Sequence, residues 1–298
     1  MICQNDYKVK FNPTFELESD EIYIAGGVYG NPFALQKLSE ISNGAKVVLN
    51  GDLHWFDATK ESFLKTEYLA QEFICLNGNV ELELAKNSLE TCGCNYPEYE
   101  DKDVIARADE IFKTLNLAPS SEQREMLKKR KTTLFAKVGN VNIAITHGDE
   151  KNVAGWELDR VNLEKQTRQN ELNQWFLKTT FSVLASTHTC QAGLLKLKNG
   201  IVINNGSAGM PNFSEFRTGL VTRIATTPHQ NAFYRSSINE VFIELIRLKY
   251  DNAKFLKYFD EIWSEQSPAA LSYKTRILGY GCPLSYKQLS FGGFELIE

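Results

Sequence analysis

The sequence predicts a layered α/β fold, because four short apolar segments each end in residues that commonly terminate a strand. The segments and the residues that follow them are 45–50 with Gly51-Asp52, 72–76 with Asn77-Gly78-Asn79, 141–146 with His147, and 180–185 with Ser186 and His188. Short apolar or β-branched segments that end in Gly, Asn or Asp are typical of strands followed by loops. A fifth strand is predicted over residues 21–25, which run into Gly26-Gly27.

Helical periodicity between these strands completes the α/β pattern. Asn31-Pro32 begins a helix, because the fixed φ of proline suits the first helical turn. Residues 103–115 place their apolar side chains along one helical stripe, and residues 121–131 predict a second helix with a serine N-cap. Both helices lie within a predicted insertion at about residues 85–132, which is interpreted either as a lid over a site or as a surface hairpin.

Two turn signals and the chain length indicate how the elements are organised. Gly139-Asn140 and Asn199-Gly200 each separate two apolar segments, which predicts two hairpins. The chain has no internal repeat and no low-complexity linker. Its 298 residues fit one layered α/β domain that carries an insertion. We therefore predict a single domain over residues 1–298.

The polar residues at the four strand ends predict a metal site. In α/β proteins ligands gather beyond the carboxyl ends of strands, so we expect Asp52, Asn79, His147 and His188 to lie together. One carboxylate, one amide oxygen and two imidazoles are suitable ligands for a divalent ion. The chain has four histidines, and two of them fall at these strand ends. This coincidence favours a metal site over four unrelated polar loops.

Charge and hydropathy exclude several other classes of protein. The net charge of −4 implies no general attraction to nucleic acid, and the basic cluster at residues 128–131 is interpreted as a solvated helix end. No apolar segment reaches the ~20 residues that cross a bilayer, and residues 1–11 lack the apolar region of a signal peptide. We expect a cytoplasmic protein without a membrane partner, in which the cysteines are reduced.

In their order along the chain, these motifs resemble those of the calcineurin-like metallophosphoesterases. The family pattern is D-x-H, G-D-x-x-D, G-N-H-[DE], a strand-end H, G-H-x-H and N-x-G-S-x-G. The matching segments here are Gly27 to Asn31, Gly51 to Trp55, Gly78 to Glu81, His147 to Asp149, Thr187 to Cys190, and Asn204 to Gly209. The resemblance covers roughly residues 20–225 and implies a four-layer α/β/β/α sandwich.

The resemblance also implies that one of the family's two metal sites is kept. The ligands of the second metal align with Asp52, Asn79, His147 and His188, which are all residues of the required type. We therefore expect one divalent metal ion, with manganese, iron and zinc as the candidates. The expected ligand of the site is a small phosphorylated compound, and nucleic acid is an unlikely partner.

The first metal site departs from the family pattern. Its ligands align with Gly27, Tyr29, Asp52 and Cys190, so three of the four have changed. Glycine offers no ligand, and tyrosine binds a metal poorly unless it is ionised, with an ordinary pKa of about 10. Cys190 stays a candidate metal ligand, because a thiolate would favour a softer ion such as zinc.

The family residue that protonates the leaving group aligns with Val80, which has no proton to donate. Another acid is then needed for a poor leaving group. His54 is the first candidate, because an imidazole titrates near neutral pH. The other acids near the site in sequence are Asp57, Tyr29, Glu81 and Asp149, and the predicted substrate-binding residues are Asn31, Gly206 and Ser207.

Three functions remain open on the sequence. The first is a one-metal hydrolase of phosphomonoesters or phosphodiesters. The second is a catalytically inactive protein of the same fold that senses a phosphate ligand or binds a partner. The third is a thiol site in which Cys92 or Cys94 reaches towards Cys190 to bind a soft metal or to form a disulfide.

Overall fold

The computed structural model describes residue 9 and residues 13–87, 91–282 and 284–297. The strands of this part are β1 (Leu17–Ser19), β2 (Glu21–Ala25), β3 (Lys46–Asn50), β4 (Ile74–Leu76), β5 (Thr133–Val138), β6 (Val141–Thr146), β7 (Val183–Ser186), β8 (Ala192–Lys196), β9 (Ile201–Asn205), β10 (Gly219–Ala225), β11 (Ala232–Ile238), β12 (Val241–Leu248) and β13 (Glu295–Leu296). Its α-helices are α1 (Pro32–Ser42), α2 (Lys60–Ala70), α3 (Asn79–Lys86), α4 (Lys102–Leu115), α5 (Ser121–Lys129), α6 (Arg160–Leu163), α7 (Gln166–Lys178), α8 (Asn252–Ile262) and α9 (Thr275–Ile277). A π-helical turn over Ala270–Lys274 precedes α9, and a 3-10 turn covers Tyr286–Gln288.

The strands form two sheets whose parallel segments end near the same place. The first sheet has the order β13-β11-β12-β10-β2-β3-β4, and the second has the order β1-β5-β6-β7-β9-β8. Strands β2, β3 and β4 are parallel to one another, and so are β6, β7 and β9. Parallel strands have their carboxyl ends at one edge of the sheet, so the loops after β3 and β4, and those after β6 and β7, lie side by side.

Alternating side chains of the strands face different hydrophobic layers. In β2, Ile22 and Ile24 belong to the core between the two sheets, whereas Tyr23 and Ala25 belong to a core on the other face of the first sheet. The helices α1 to α5 and α8 cover that face, while α6 and α7 cover the outer face of the second sheet. This is the four-layer α/β/β/α sandwich that the sequence predicts.

Most predicted elements occur within a few residues of their expected bounds. The helix that begins at Asn31-Pro32 is α1, with Asn31 as its N-cap. Strand β7 begins three residues later than predicted. The residues before it bond to Asn142 of β6 instead of forming a regular ladder: the Ser182 N–H donates to the Asn142 oxygen, and the Asn142 side chain donates to the Thr180 oxygen. Strand β11 is an additional element that the sequence analysis does not predict.

The segment predicted as an insertion contains α4 and α5. Ile111 and Phe112 of α4 and Leu127 of α5 are fully buried in the same core as α1 and α2. Helix α5 ends at Lys129, two residues before its predicted end, because Arg130 has an extended conformation. The basic cluster at this helix end is largely paired: Lys128 with Glu125, Arg130 with Glu67, and Lys131 with Glu16. Among the helices of the described residues, none is both long and apolar enough to cross a bilayer.

Candidate metal centre

Four side chains from four strand ends converge on one point between the two sheets. Asp52 follows β3, Asn79 begins α3 after β4, His147 follows β6, and His188 follows β7. The Nε2 atom of His147 lies 3.2 Å from Asp52 Oδ1, 3.1 Å from Asn79 Oδ1 and 3.1 Å from His188 Nδ1. Metal–ligand bonds of about 2.0–2.2 Å at right or tetrahedral angles place neighbouring ligand atoms roughly 3.0–3.5 Å apart. The spacing therefore suits a single metal ion.

Main-chain carbonyls orient the two imidazoles so that a lone pair of each faces this point. A carbonyl oxygen only accepts hydrogen bonds, so His147 donates its Nδ1–H to the Asn50 oxygen over 2.9 Å. His188 likewise donates its Nε2–H to the Cys94 oxygen over 3.1 Å. The other nitrogen of each ring is left unprotonated when the imidazole is neutral. Ligand histidines are commonly held by such a hydrogen bond on the far nitrogen.

The two candidate oxygen ligands, from Asn79 and Asp52, also have defined surroundings. Asn79 donates its Nδ2–H to the Cys92 oxygen over 2.9 Å and to the Cys94 sulfur over 3.3 Å, which turns its Oδ1 towards the cluster. Asp52 is 95% buried, and its Oδ1 accepts no hydrogen bond among the described residues. A buried carboxylate oxygen beside other acceptor atoms is costly unless a cation or a proton lies between them. The donor set therefore fits a divalent cation.

The electrostatics of the two histidines reflect this crowding. Burial lowers the pKa of His188 to about 3, and the neighbouring His147 contributes to the same direction. Burial also acts to lower the pKa of His147, but the Asp52 carboxylate outweighs it and raises that pKa above its ordinary value. The two imidazoles are therefore not both positively charged. Neutral imidazole is the form that binds metal.

Glycines allow the loops that carry these ligands to approach closely. Gly51 has φ +79°, and a Cβ atom there would lie 2.5 Å from His147 Nδ1. A Cβ atom on Gly78 would lie 2.5 Å from Asp52 Oδ1. Real Cβ atoms do not come so close to their neighbours, so a side chain at either position would displace a ligand. This requirement explains why a glycine precedes both Asp52 and Asn79.

Glu81 and Asp149, which are acids near the site in sequence, bind main-chain groups. The Glu81 carboxylate accepts hydrogen bonds from the N–H of Asp52 at 2.9 Å, of Gly78 at 2.9 Å and of His54 at 3.1 Å. It thereby connects the loops after β3 and β4. Asp149 accepts N–H groups of its own loop, where burial raises its pKa. Both carboxylates hold loops in position.

The residues that align with the first metal site form a neutral hydrogen-bonded pair. Tyr29 Oη lies 2.7 Å from Cys190 Sγ. A Cβ atom on Gly27 would lie 2.8 Å from Tyr29 Oη, so the tyrosine fills the space that a side chain at position 27 would need. Burial raises the pKa of both Tyr29 and Cys190. Among the described residues, the acidic, histidine and cysteine side chains close enough to share one ion are Asp52, His147 and His188, a group that does not include Cys190.

His54 and Asp57 lie in a separate, fully buried network. His54 Nδ1 is 2.8 Å from Asp57 Oδ2, and His54 Nε2 is 2.7 Å from Glu67 Oε1. Burial acts to lower the pKa of His54, but hydrogen bonds to Asp57 and Glu67 outweigh it and raise the pKa to about 9. The ring also stacks on Phe63, with centroids 3.8 Å apart. Both ring nitrogens are occupied, so neither is directed at the metal centre as an acid for a substrate.

The predicted substrate-binding residues support the loops beneath the site. Asn31 caps α1 and donates its Nδ2–H to the Gly209 oxygen over 2.9 Å. Ser207 donates its hydroxyl to the Gly27 oxygen over 3.1 Å. Gly206 precedes it with φ +71°. Asn31 and Ser207 are fully buried, and their polar groups are engaged within the protein.

A cavity of about 190 Å³ opens on one side of the cluster. Asp52 and His188 reach its wall together with Tyr29, Val80 and Cys190. Cys94, a candidate of the thiol-site hypothesis, also lines the wall. Further wall residues that the sequence analysis does not assign a role are Trp55, Tyr96, Glu100, Val104, Trp156, Thr189, Gln191, Tyr273 and Arg276. Several come from the predicted insertion and the C-terminal segment, where no motif marked them. A larger cavity of about 460 Å³ lies on the other side of the loop over residues 92–96 and contains none of the four cluster residues.

No protein-family model matches the sequence, and no curated protein does either. Among solved structures, a metallophosphoesterase from Sphaerobacter thermophilus matches with a TM-score of 0.55 and 14% identity, over 88% of this chain and 99% of that one. A hypothetical protein from Pyrococcus horikoshii OT3 matches with a TM-score of 0.58 and 15% identity, over 84% and 97%. The chain therefore has the metallophosphoesterase fold, which confirms the resemblance in motif order at the level of the fold. Identities this low do not extend to activity.

Proposed function

We propose that the protein is a phosphoesterase-like hydrolase that uses one divalent metal ion held by Asp52, Asn79, His147 and His188. The observation that carries this proposal is the convergence of four acceptor atoms, three of which lie 3.1–3.2 Å from the fourth, His147 Nε2. In His147, His188 and Asn79, the side-chain nitrogen that points away from the cluster donates a hydrogen bond to a main-chain carbonyl. Metal ligands in proteins are commonly oriented in this way. Two nitrogen and two oxygen donors suit manganese, iron or zinc.

The proposed substrate is a small phosphomonoester or phosphodiester bound in the cavity beside the cluster. A bound divalent ion would supply a Lewis acid that polarises a phosphoryl oxygen and activates water. Arg276 lies in the same wall and donates its Nε–H to Pro211 over 2.7 Å and an Nη2–H to the Cys190 oxygen over 3.0 Å. These bonds fix the guanidinium plane at the cavity wall, and a planar guanidinium is well suited to bind a phosphoryl oxygen.

The cavity wall favours substrates whose leaving group needs no protonation. Val80 has no proton to donate, and burial raises the pKa of Tyr29 well above its ordinary value, so the phenol is a weak acid. Turnover, as distinct from affinity, should therefore be greatest with aryl phosphates and aryl phosphodiesters, whose leaving groups are stable as anions.

A second candidate function is binding without turnover. The neutral Tyr29–Cys190 pair beside Gly27 favours it, because these residues align with ligands of the family's first metal and bind metals poorly when protonated. Such a protein would sense a phosphorylated ligand or bind a partner through the same cavity.

Elemental analysis of the purified protein, combined with aryl phosphomonoester and phosphodiester assays, separates the two functions. We expect about one metal ion per chain in the wild type and its loss in Asp52→Ala, while the control Asp20→Ala, at an exposed aspartate in the turn before β2, keeps the metal. Metal-dependent turnover supports the hydrolase, and bound metal without turnover supports the binding protein. An unchanged metal content in Asp52→Ala, or two tightly bound ions at this centre, would contradict the proposed site.

A further inference from the structure

Two opposite charges face the cavity without pairing with each other. Glu100 and Arg276 both line it. Arg276 is bound to main-chain oxygens, as described above, whereas the Glu100 carboxylate has no hydrogen-bond or ion-pair partner among the described residues. The main chain of Glu100 is fixed, because its N–H bonds to the Pro97 oxygen over 3.0 Å in the turn before α4. A half-buried carboxylate thus lies in the wall without a direct partner among the described residues.

Besides Tyr29, four large aromatic rings line the same cavity. Trp55 and Tyr273 pack edge to face with centroids 6.4 Å apart, and Tyr96 and Trp156 lie 5.9 Å apart at 40°. Trp156 donates its Nε1–H to the Cys94 oxygen over 2.8 Å, which fixes the orientation of its ring. Trp55 is 97% buried, and its Nε1 has no hydrogen-bond partner in the described part of the chain. Aromatic faces carry negative potential and attract organic cations.

We propose that the cavity binds a phosphate ester of a small quaternary ammonium alcohol. The phosphoryl group would face the metal centre and Arg276, and the cationic group would face Glu100 and the aromatic rings. This assignment rests on the proposed function, because it places the phosphoryl group at the proposed metal site. The volume of about 190 Å³ is below the ~300–1,000 Å³ of sites for larger ligands, which favours a compact zwitterion.

A cation suits this wall better than a neutral aromatic group does. A flat aryl group could also stack on the four rings, but it would remove water from the Glu100 carboxylate without giving it a partner. Burying an unpaired charge is costly. A quaternary ammonium group compensates that charge and contacts the ring faces at the same time.

A pair of esters of equal shape and different charge tests the proposal. Phosphocholine and 3,3-dimethylbutyl phosphate differ only in a positively charged nitrogen that replaces a carbon. We expect calorimetry on the metal-loaded protein to show that phosphocholine binds at least roughly tenfold more tightly than 3,3-dimethylbutyl phosphate. A preference of this size is typical of a desolvated cation–π site. Glu100→Gln should remove most of this preference while the binding of inorganic phosphate is kept, which shows that the variant is folded. Glu98→Gln, at an exposed position two residues earlier, should behave as the wild type.

Equal affinity for the two esters, an unchanged preference in Glu100→Gln, or tighter binding of an aryl phosphate than of phosphocholine would overturn the proposal and leave the metal site standing. If the protein binds no metal, the proposed function fails, and the cavity is tested without phosphate. Choline and 3,3-dimethylbutanol are then compared by tryptophan fluorescence. A response to choline alone that Glu100→Gln abolishes supports the cation site, and an equal response to both alcohols overturns it.

Discussion

At the scale of single residues, Gly27, Tyr29 and Cys190 depend on one another. Tyr29 can occupy its place only because position 27 has no side chain, since a Cβ atom there would lie 2.8 Å from Tyr29 Oη. The phenol in turn contacts the Cys190 thiol at 2.7 Å. The three residues therefore form one packed unit, and introducing larger metal-binding residues there requires changing them together.

A double-mutant cycle at positions 27 and 29 tests this dependence. Gly27→Asp should destabilise the wild type by about 2–4 kcal/mol, because it combines overpacking against the Tyr29 ring with a left-handed backbone conformation, φ +65°. In the Tyr29→His background the cost should fall by about 1 kcal/mol or more, since the smaller ring leaves room for the new side chain. Urea denaturation of the four proteins measures the coupling.

Gly44→Asp is the matched control for this cycle. Gly44 also has a left-handed backbone, φ +86°, but no atom lies within 4 Å of a Cβ placed there. Its cost should reflect the backbone alone and be equal in both backgrounds. Additive costs for Gly27→Asp and Tyr29→His, within about 0.5 kcal/mol, would show that the two positions are independent.

At the scale of secondary-structure elements, a buried charged network connects α2 to the loop after β3 and to the residue that follows α5. In Glu67 of α2, the Oε1 atom lies 2.7 Å from His54 Nε2, and the Oε2 atom lies 2.5 Å from Arg130 Nη2. Burial alone would raise the pKa of Glu67, but these two cations outweigh it and lower the pKa to about 2. The raised pKa of His54 reflects its hydrogen bonds to Asp57 and Glu67, so the contact between His54 and Glu67 contributes to both shifts.

The network makes stability depend on pH in a defined direction. A carboxyl whose pKa is lowered in the folded state stabilises it above the unfolded value of 4.5, and this contribution is lost as the pH falls through about 2. The shift corresponds to about 3 kcal/mol. In urea denaturation, the difference in stability between the wild type and Glu67→Gln should be large at pH 7 and shrink between pH 5 and pH 2. Glu61→Gln, at an exposed position of the same helix, should show no comparable difference, and a pH-independent difference for Glu67→Gln would contradict the assignment.

The elements also show which parts of the site a sequence can predict. The four metal-centre residues each follow a short strand, and a local pattern of apolar residues and a turn places them at one edge of the sheets. Glu100, Trp156 and Arg276 reach the cavity through tertiary packing of loops and the C-terminal segment, to which no periodicity points. The sequence places His54 near the motif of Asp52, but it does not show that Glu67, thirteen residues later, bonds to His54 Nε2 and removes it as an acid for a substrate.

At the scale of the whole molecule, the proposed metal centre lies between the two sheets. Asp52 and Asn79 belong to loops of the first sheet, whereas His147 and His188 belong to loops of the second. Hydrogen bonds between Asn50 and the loop of His147 join the sheets beside the cluster. Within the cluster, however, the four ligand atoms face one another as acceptors, and that part of the contact is unfavourable in the metal-free protein. A bound cation would convert this unfavourable contact into the strongest link between the sheets at this edge.

Metal binding should therefore raise the thermal stability of the whole protein. Ligand at 100 times its Kd stabilises the folded state by about 2.7 kcal/mol, which for a chain of this size corresponds to a rise in Tm of roughly 5 °C or more. Thermal unfolding of chelator-treated protein, with and without added manganese or zinc, measures the shift. Asp52→Asn keeps the shape of the side chain but removes its charge, and it should abolish the shift, whereas Asp20→Asn should preserve it. If Asp52→Asn showed an equal rise in Tm, the stabilising ion would bind elsewhere on the molecule. Metal binding would then not be what joins the two sheets at this edge.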